Sequence, residues 1–172
     1  MKGFLVALCF VLLSSTTCLA KSYSFKNWGV QTYTDAFTDE PYALLIGRPA
    51  MHDTRITCRG KYVKFEFNVG KFVDFGKSYV IVRARVDSMA PIAFIGQLDS
   101  KSNSAGEVLE IVTDGKSVLD QRKELRTLLA QMKKGQKLLI QVSQADGDNA
   151  ARDYQSLLGF TKAYNSVRNY CE

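Results

Sequence analysis

Hydrophobic and polar residues alternate along most of the chain beyond residue 20, the period expected of strands that pack on one face and meet water on the other. The clearest run is Lys61-Tyr62-Val63-Lys64-Phe65-Glu66-Phe67, where Val63, Phe65 and Phe67 share one side and Lys64 and Glu66 the other. Ser78 to Asp87 repeats it, with Val80, Val82, Ala84 and Val86 opposed to Ile81, Arg83, Arg85 and Asp87. Trp28 to Tyr33 reads as the first strand, Tyr42 to Gly47 as a short apolar one and Arg55 to Cys58 as a third, with turn residues from Asp35 to Pro41. Pro91 to Leu98 and Val108 to Val112 add two strands around the serine-rich stretch Asp99 to Gly106, which reads as a loop, and Gly70 and Gly76 bracket another. Leu138, Ile140 and Val142 mark a further strand, Ala145 to Asn149 a hairpin turn, and Tyr154 to Leu158 a last strand broken by Gly159.

Two stretches change period. Leu125, Leu128, Leu129 and Met132 recur at helical spacing after Ser117-Val118-Leu119-Asp120, which resembles a capping box, and Gly135 ends the helix behind Lys133 and Lys134, whose charges suit its carbonyl end. Phe160, Ala163, Tyr164, Val167 and Cys171 line one face of a short final helix. Both helices carry an apolar stripe and so belong on the β layer. The pattern predicts a mainly β (α+β) fold, an antiparallel β-sandwich with two short helices. Residues 21–172 show no repeat, linker or second core, which predicts a single domain.

Residues 1–20 have a different character. Lys2 is followed by the apolar run Phe4 to Leu13, then by a small, mildly polar stretch ending at Ala20. This is the layout of a secretory signal peptide cleaved near Ala20. A spanning helix needs roughly 20 apolar residues, twice what this core offers. Ser15-Thr16-Thr17 before Cys18 lacks the pattern that precedes a lipidated cysteine. The expected location is the periplasm, or outside the cell.

Cleavage removes Cys9 and Cys18 and leaves Cys58 and Cys171. An even pair in an oxidising compartment is expected to be joined, and without a CxxC spacing the bond reads as a staple rather than a redox or metal site. In the chain-entropy model, closing a loop of about 100 residues contributes about 4–5 kcal/mol.

Composition narrows the chemistry. The 172 residues are 46% hydrophobic and 23% charged, as in an ordinary globular protein, and His52 is the single histidine. No histidine-rich metal site or imidazole pair can be built from it. Gly76-Lys77-Ser78 and Gly115-Lys116-Ser117 mimic the end of a phosphate-binding loop, but the glycine five positions before the second is Lys71 in one and Glu110 in the other. Asp146-Gly147-Asp148-Asn149 lacks the later glycine and glutamate of a calcium loop. His52-Asp53 has no Gly-x-Ser-x-Gly elbow to serve. The expectation is no enzyme, no metal and no cofactor. An envelope enzyme would need a polar constellation that these residues do not assemble.

The basic residues offer more. The net charge of +6 becomes +5 without Lys2, too little to point to nucleic acid in an exported protein. Arg55, Arg59, Lys61, Lys64, Arg83 and Arg85 lie on strands whose other faces are apolar, so several can share an exposed sheet face with Tyr62 and Tyr79. Such a patch suits anionic lipid headgroups, a cell-wall polymer or an acidic protein loop. The alternative is an ordinary solvated face whose charges pair with Glu66 and Asp87.

The run Leu128-Leu129-x-x-Met132-Lys133-Lys134-Gly135-x-Lys137-Leu138, then Gly159-Phe160-Thr161-Lys162-Ala163, then Cys171, with Ile56-Thr57-Cys58 earlier, resembles two groups of exported bacterial proteins. These are the VasI-like accessory proteins of type VI secretion systems and the invasion-associated locus B family. Trp28-x-Val30 and Arg83-x-Arg85-x-Asp87 also resemble the VasI-like pattern. The resemblance implies a periplasmic β-sandwich with appended helices, a Cys58–Cys171 pairing and no known catalytic residues. The expected function is therefore an exported, non-enzymatic binding or accessory protein of the bacterial envelope, with an envelope protein as partner and support of a type VI secretion or related apparatus as its specific form. The alternative is a secreted inhibitor, for instance of lysozyme, using a protruding loop such as Asp99 to Gly106, or a host-interaction or virulence factor.

Overall fold

The computed structural model describes residues 20–48, 54–68, 79–99, 108–112, 120–143 and 150–172. Its strands are β1 (Lys21–Phe25), β2 (Trp28–Thr34), β3 (Pro41–Gly47), β4 (Thr54–Arg59), β5 (Tyr62–Asn68), β6 (Tyr79–Val86), β7 (Ile92–Asp99), β8 (Val108–Val112), β9 (Lys137–Ser143) and β10 (Ala150–Ser156). The helices are α1 (Arg122–Met132), α2 (Phe160–Ser166) and α3 (Arg168–Cys171).

The strands form one hydrogen-bonded series in the order β1-β2-β3-β4-β5-β8-β7-β6-β9-β10. Every pairing is antiparallel. The series folds over into a sandwich, with β1–β5 in one layer, β6, β7, β9 and β10 in the other, and β8 as the link. The β7–β8 ladder is the shortest of the series, pairing only Gln97, Leu98 and Asp99. Alternation then sends one face of every strand inward. Trp28, Val30, Leu45, Ile56, Phe65 and Phe67 from the first layer meet Val80, Val82, Ala84, Val86, Phe94, Leu138, Ile140 and Val142 from the second in one buried cluster.

The helices complete that core. In α1, Leu125, Leu128, Leu129 and Met132 are buried against β6 and β7. Phe160, Ala163, Tyr164, Val167 and Cys171 are buried as the spacing predicts, with α2 on β1 and β2 and α3 on β3 and β4. That final segment is two helices rather than one, because Val167 leaves the helical region at φ −126°, ψ 15°. Among the described residues the sandwich thus carries three helices.

Some boundaries differ from the sequence pattern. A strand precedes Trp28: β1 pairs with β2 from Lys21↔Thr32 to Phe25↔Trp28. The last strand begins at Ala150 and ends at Ser156, with Ala151 and Gln155 supplying its inner face. The first helix starts at Arg122 with Gln121 as N-cap, not at the capping box. Gln121 is held elsewhere: its carboxamide accepts from Ile95 N and donates to Ile95 O, both at 2.7 Å. Ile95 lies before the short stretch of β7 that pairs with β8, so the amide takes the place of a missing neighbouring strand. At the other end Gly135 N donates to Gln131 O. Lys133 does not face the last helical carbonyls but places its ammonium 4.0 Å from the centre of the Tyr164 ring.

The disulfide joins Cys58 of β4 to Cys171 of α3, with their Cα atoms 4.7 Å apart. Among the described residues no helix is long and apolar enough to cross a membrane.

Candidate functional site

Register decides which of the basic residues meet. On β4 and β5, Arg55 lies directly across from Glu66, and the Lys64 ammonium is 3.0 Å from the Glu66 carboxylate. Tyr62 is half-buried at the start of β5, opposite Arg59. Lys61 sits in the β4–β5 turn and lines a small cavity of about 130 Å³ with Arg126 and Glu172 beside Cys171. Arg59, the last residue of β4, reaches across to the β2–β3 turn, where its guanidinium donates to Glu40 Oε2 and Thr38 Oγ1, both at 2.7 Å. Arg55, Arg59 and Lys64 thus each have an acidic neighbour.

The second layer is different. Arg83 and Arg85 project from the outer face of β6 together with the exposed Tyr79. Arg83 stands opposite Gln141 of β9, and Gln141 stands opposite Arg152 of β10. In the next row Arg85 faces Leu139, and Leu139 faces Tyr154. Strands lie about 4.8 Å apart and same-face residues about 6.6 Å apart along a strand, so the three arginines converge within about 12 Å at their backbones. They border a depression of about 310 Å³ lined also by Pro91, Leu139 and Gln141. At its edge the Lys137 ammonium lies 4.2 Å over the ring of Tyr154.

Among the described residues no acid pairs with this cluster. Asp87, the expected partner, turns its carboxylate to the α1–β9 connection, where it accepts from Gln136 N and Lys137 N at 2.9 Å each. Those bonds hold Asp87 at φ 47°, a left-handed conformation that is uncommon outside glycine and short polar residues. Among the described residues no carboxylate lies within ion-pair distance of Arg83, Arg85 or Arg152.

The structure thus divides the basic residues of the predicted patch. It leaves Arg83, Arg85 and Tyr79 on one exposed face, puts Arg55, Lys64 and Tyr62 on the other layer, and sets Lys61 apart. It adds Arg152, Lys137 and Tyr154, which alternation along β9 and β10 could have placed outward but only the β6-β9-β10 pairing order places beside Arg83. Exposed apolar side chains extend the same surface, since Ile95 lies across from Ile81.

A second protruding feature was hidden among the turn residues. Phe37, at the tip of the β2–β3 hairpin, is 98% exposed. The turn around it is stiff. Asp35 Oδ1 accepts from Phe37 N at 2.9 Å and Thr38 N at 3.0 Å, and Asp39 N donates to Asp35 O at 2.9 Å. These backbone donors, and secondarily Arg59, hold the Asp35 carboxyl below its ordinary value. Hydrogen bonding to Glu40 raises Arg59 in turn.

His52-Asp53, both glycine-lysine-serine stretches, the 145–149 turn and the 100–106 part of the serine-rich loop lie outside the described residues. Among the described residues, no group of His, Cys, Asp and Glu could hold a metal ion. Comparison with protein-family models, with curated proteins and with solved structures finds no match. The functional reading accordingly rests on the residues and geometry above.

Proposed function

We propose that this chain is an exported, non-enzymatic binding or accessory protein of the bacterial envelope, and that its docking face is the outer surface of β6, β9 and β10. One contrast carries the reading: the cations of β4 and β5 have acid neighbours, whereas Arg83, Arg85 and Arg152 surround a depression with none among the described residues. Arginine forks match carboxylates two bonds at a time. Pro91 and Leu139 give the depression an apolar lining between the charges. The ligand that fits is an acidic protein segment carrying an apolar side chain. Export is supported by the signal-like residues 1–20 and by the Cys58–Cys171 bond, which is at home in an oxidising compartment. Service to a type VI secretion apparatus is the specific form that the VasI-like resemblance gives to this reading.

The test is fluorescence anisotropy with a labelled Glu-Glu-Phe-Glu-Glu peptide. Binding should weaken with salt and disappear in the R83E/R85E/R152E variant. Equal binding by that variant would refute the docking face. Binding to phosphatidylglycerol vesicles without binding to the peptide would move the ligand from protein to lipid.

A further inference from the structure

We infer that the acidic, apolar segment taken by this face is the Phe37 turn of a second copy of the same chain, so that molecules associate head to tail. The inference rests on the docking face proposed above and names its occupant.

The turn has the required chemistry on a preformed support. The phenyl ring of Phe37 stands free of its own molecule, and Asp35, Asp39 and Glu40 flank it. Asp35 and Glu40 share Arg59, and Asp39 has no partner among the described residues. The turn is thus locally acidic on a chain with a net charge of +6. Its geometry is set before any encounter by the bonds from Phe37 N, Thr38 N and Arg59, so little ordering entropy remains to be lost on docking. Aromatic residues, phenylalanine among them, are enriched where proteins meet.

The depression on the second layer is its complement. A volume of about 310 Å³ admits a phenyl ring, Pro91 and Leu139 offer it apolar contact, and Arg83, Arg85 and Arg152 line the same depression with charge opposite to that of the turn. Inserting the ring into a bare membrane would instead carry carboxylates toward anionic headgroups, which repel them. Turn and depression are different surfaces of one molecule, so the contact is heterologous and leaves a free turn at one end of a dimer and a free depression at the other. A contact this small falls below the area of a stable interface. It should therefore be weak, concentration-dependent and sensitive to salt.

Sedimentation velocity of the folded, disulfide-bonded chain tests this over a rising concentration series. Weight-average mass should climb with concentration and fall with added salt. F37A and R83E/R85E alter exposed side chains and should each remain monomeric. Mixed in equal amounts, these two variants should form dimers and nothing larger, since one keeps only a working depression and the other only a working turn. A wild-type chain that stays monomeric throughout, or an F37A variant that associates as well as wild type, overturns the inference. If the chain stays monomeric while the Glu-Glu-Phe-Glu-Glu peptide still binds, only the occupant is wrong; if neither binds, the docking face falls as well.

Discussion

The indole Nε1 of Trp28 donates to the carbonyl of Ser156 at 2.9 Å, joining positions 128 residues apart. The ring is wholly buried and meets Phe160 edge-on, with centroids 4.8 Å apart. One side chain thus pins the start of β2 to the end of β10 and the first turn of α2. Replacing Trp28 by Phe keeps most of the packing but drops the donor, and should cost about 1–2 kcal/mol; Trp28→Ala should cost about 3–5 kcal/mol. Urea unfolding followed by far-UV circular dichroism checks both, since each variant removes the only tryptophan.

Gly159 sits at φ 96° where the chain passes from β10 into α2, and a Cβ there would lie 2.0 Å from the carbonyl oxygen of Phe25. The positive φ and the backbone clash act together. Gly159→Ala should cost about 2–5 kcal/mol, read as a lowered midpoint in thermal unfolding.

The Cys58–Cys171 bond makes a chemical prediction. If the chain is exported and cleaved near Ala20 as proposed, the recovered protein denatured without reductant should show no free thiol, and the single Cys171→Ser variant should show one. Removing both cysteines should lower stability by about 2–5 kcal/mol. Two titratable thiols in the native preparation would contradict the structure.

Asp35 predicts a pH dependence for the β2–β3 turn. Its carboxyl is held below the ordinary value of 3.8 by the amides of Phe37 and Thr38. A depressed acid contributes order that is complete above the unfolded-state value and is lost as pH falls through the folded-state value. The amide resonances of Phe37 and Thr38 should therefore stay put from neutrality down to about pH 4 and shift only in stronger acid. Asp35→Asn should shift them already at neutral pH.

Gln121 offers a test that separates donor from acceptor. Its carboxamide serves both the N–H and the carbonyl of Ile95. Gln121→Glu keeps the acceptor but turns a carboxylate oxygen toward the Ile95 carbonyl, whereas Gln121→Ala removes both bonds. Each variant should speed amide exchange at Ile95, and the glutamate should do less harm below its pKa, where it regains a donor.

Much of the sandwich was readable because its inner faces are built from bulky apolar residues at every second position, as in Val63, Phe65 and Phe67 or Val80, Val82, Ala84 and Val86. Where that signal is absent, the pattern misled. In β1 only Tyr23 and Phe25 alternate with Ser22 and Ser24, too short a run to mark a strand, and with Lys21 to Ser24 exposed this edge strand is specified by its pairing with β2. In β10 the inner face is Ala151 and the buried amide of Gln155, neither of which announces a strand core. Arg83 and Arg85 could be placed outward from local alternation alone. Their grouping with Arg152 could not, because it depends on β9 inserting between β6 and β10. Phe37 went unseen because turn chemistry marks where a chain reverses, not what it holds up.

The position of Cys171 sets a timetable. Its partner is made 113 residues earlier, an interval on the order of ten seconds at ordinary rates of synthesis. Throughout that wait Cys58 is a lone thiol, open to oxidants and to wrong partners. A chain cut short between Cys58 and α3 keeps that sulfur unpaired, while one that includes Cys171 closes the bond. The covalent state of a single side chain thereby reports whether α3 has been made and has docked on β4.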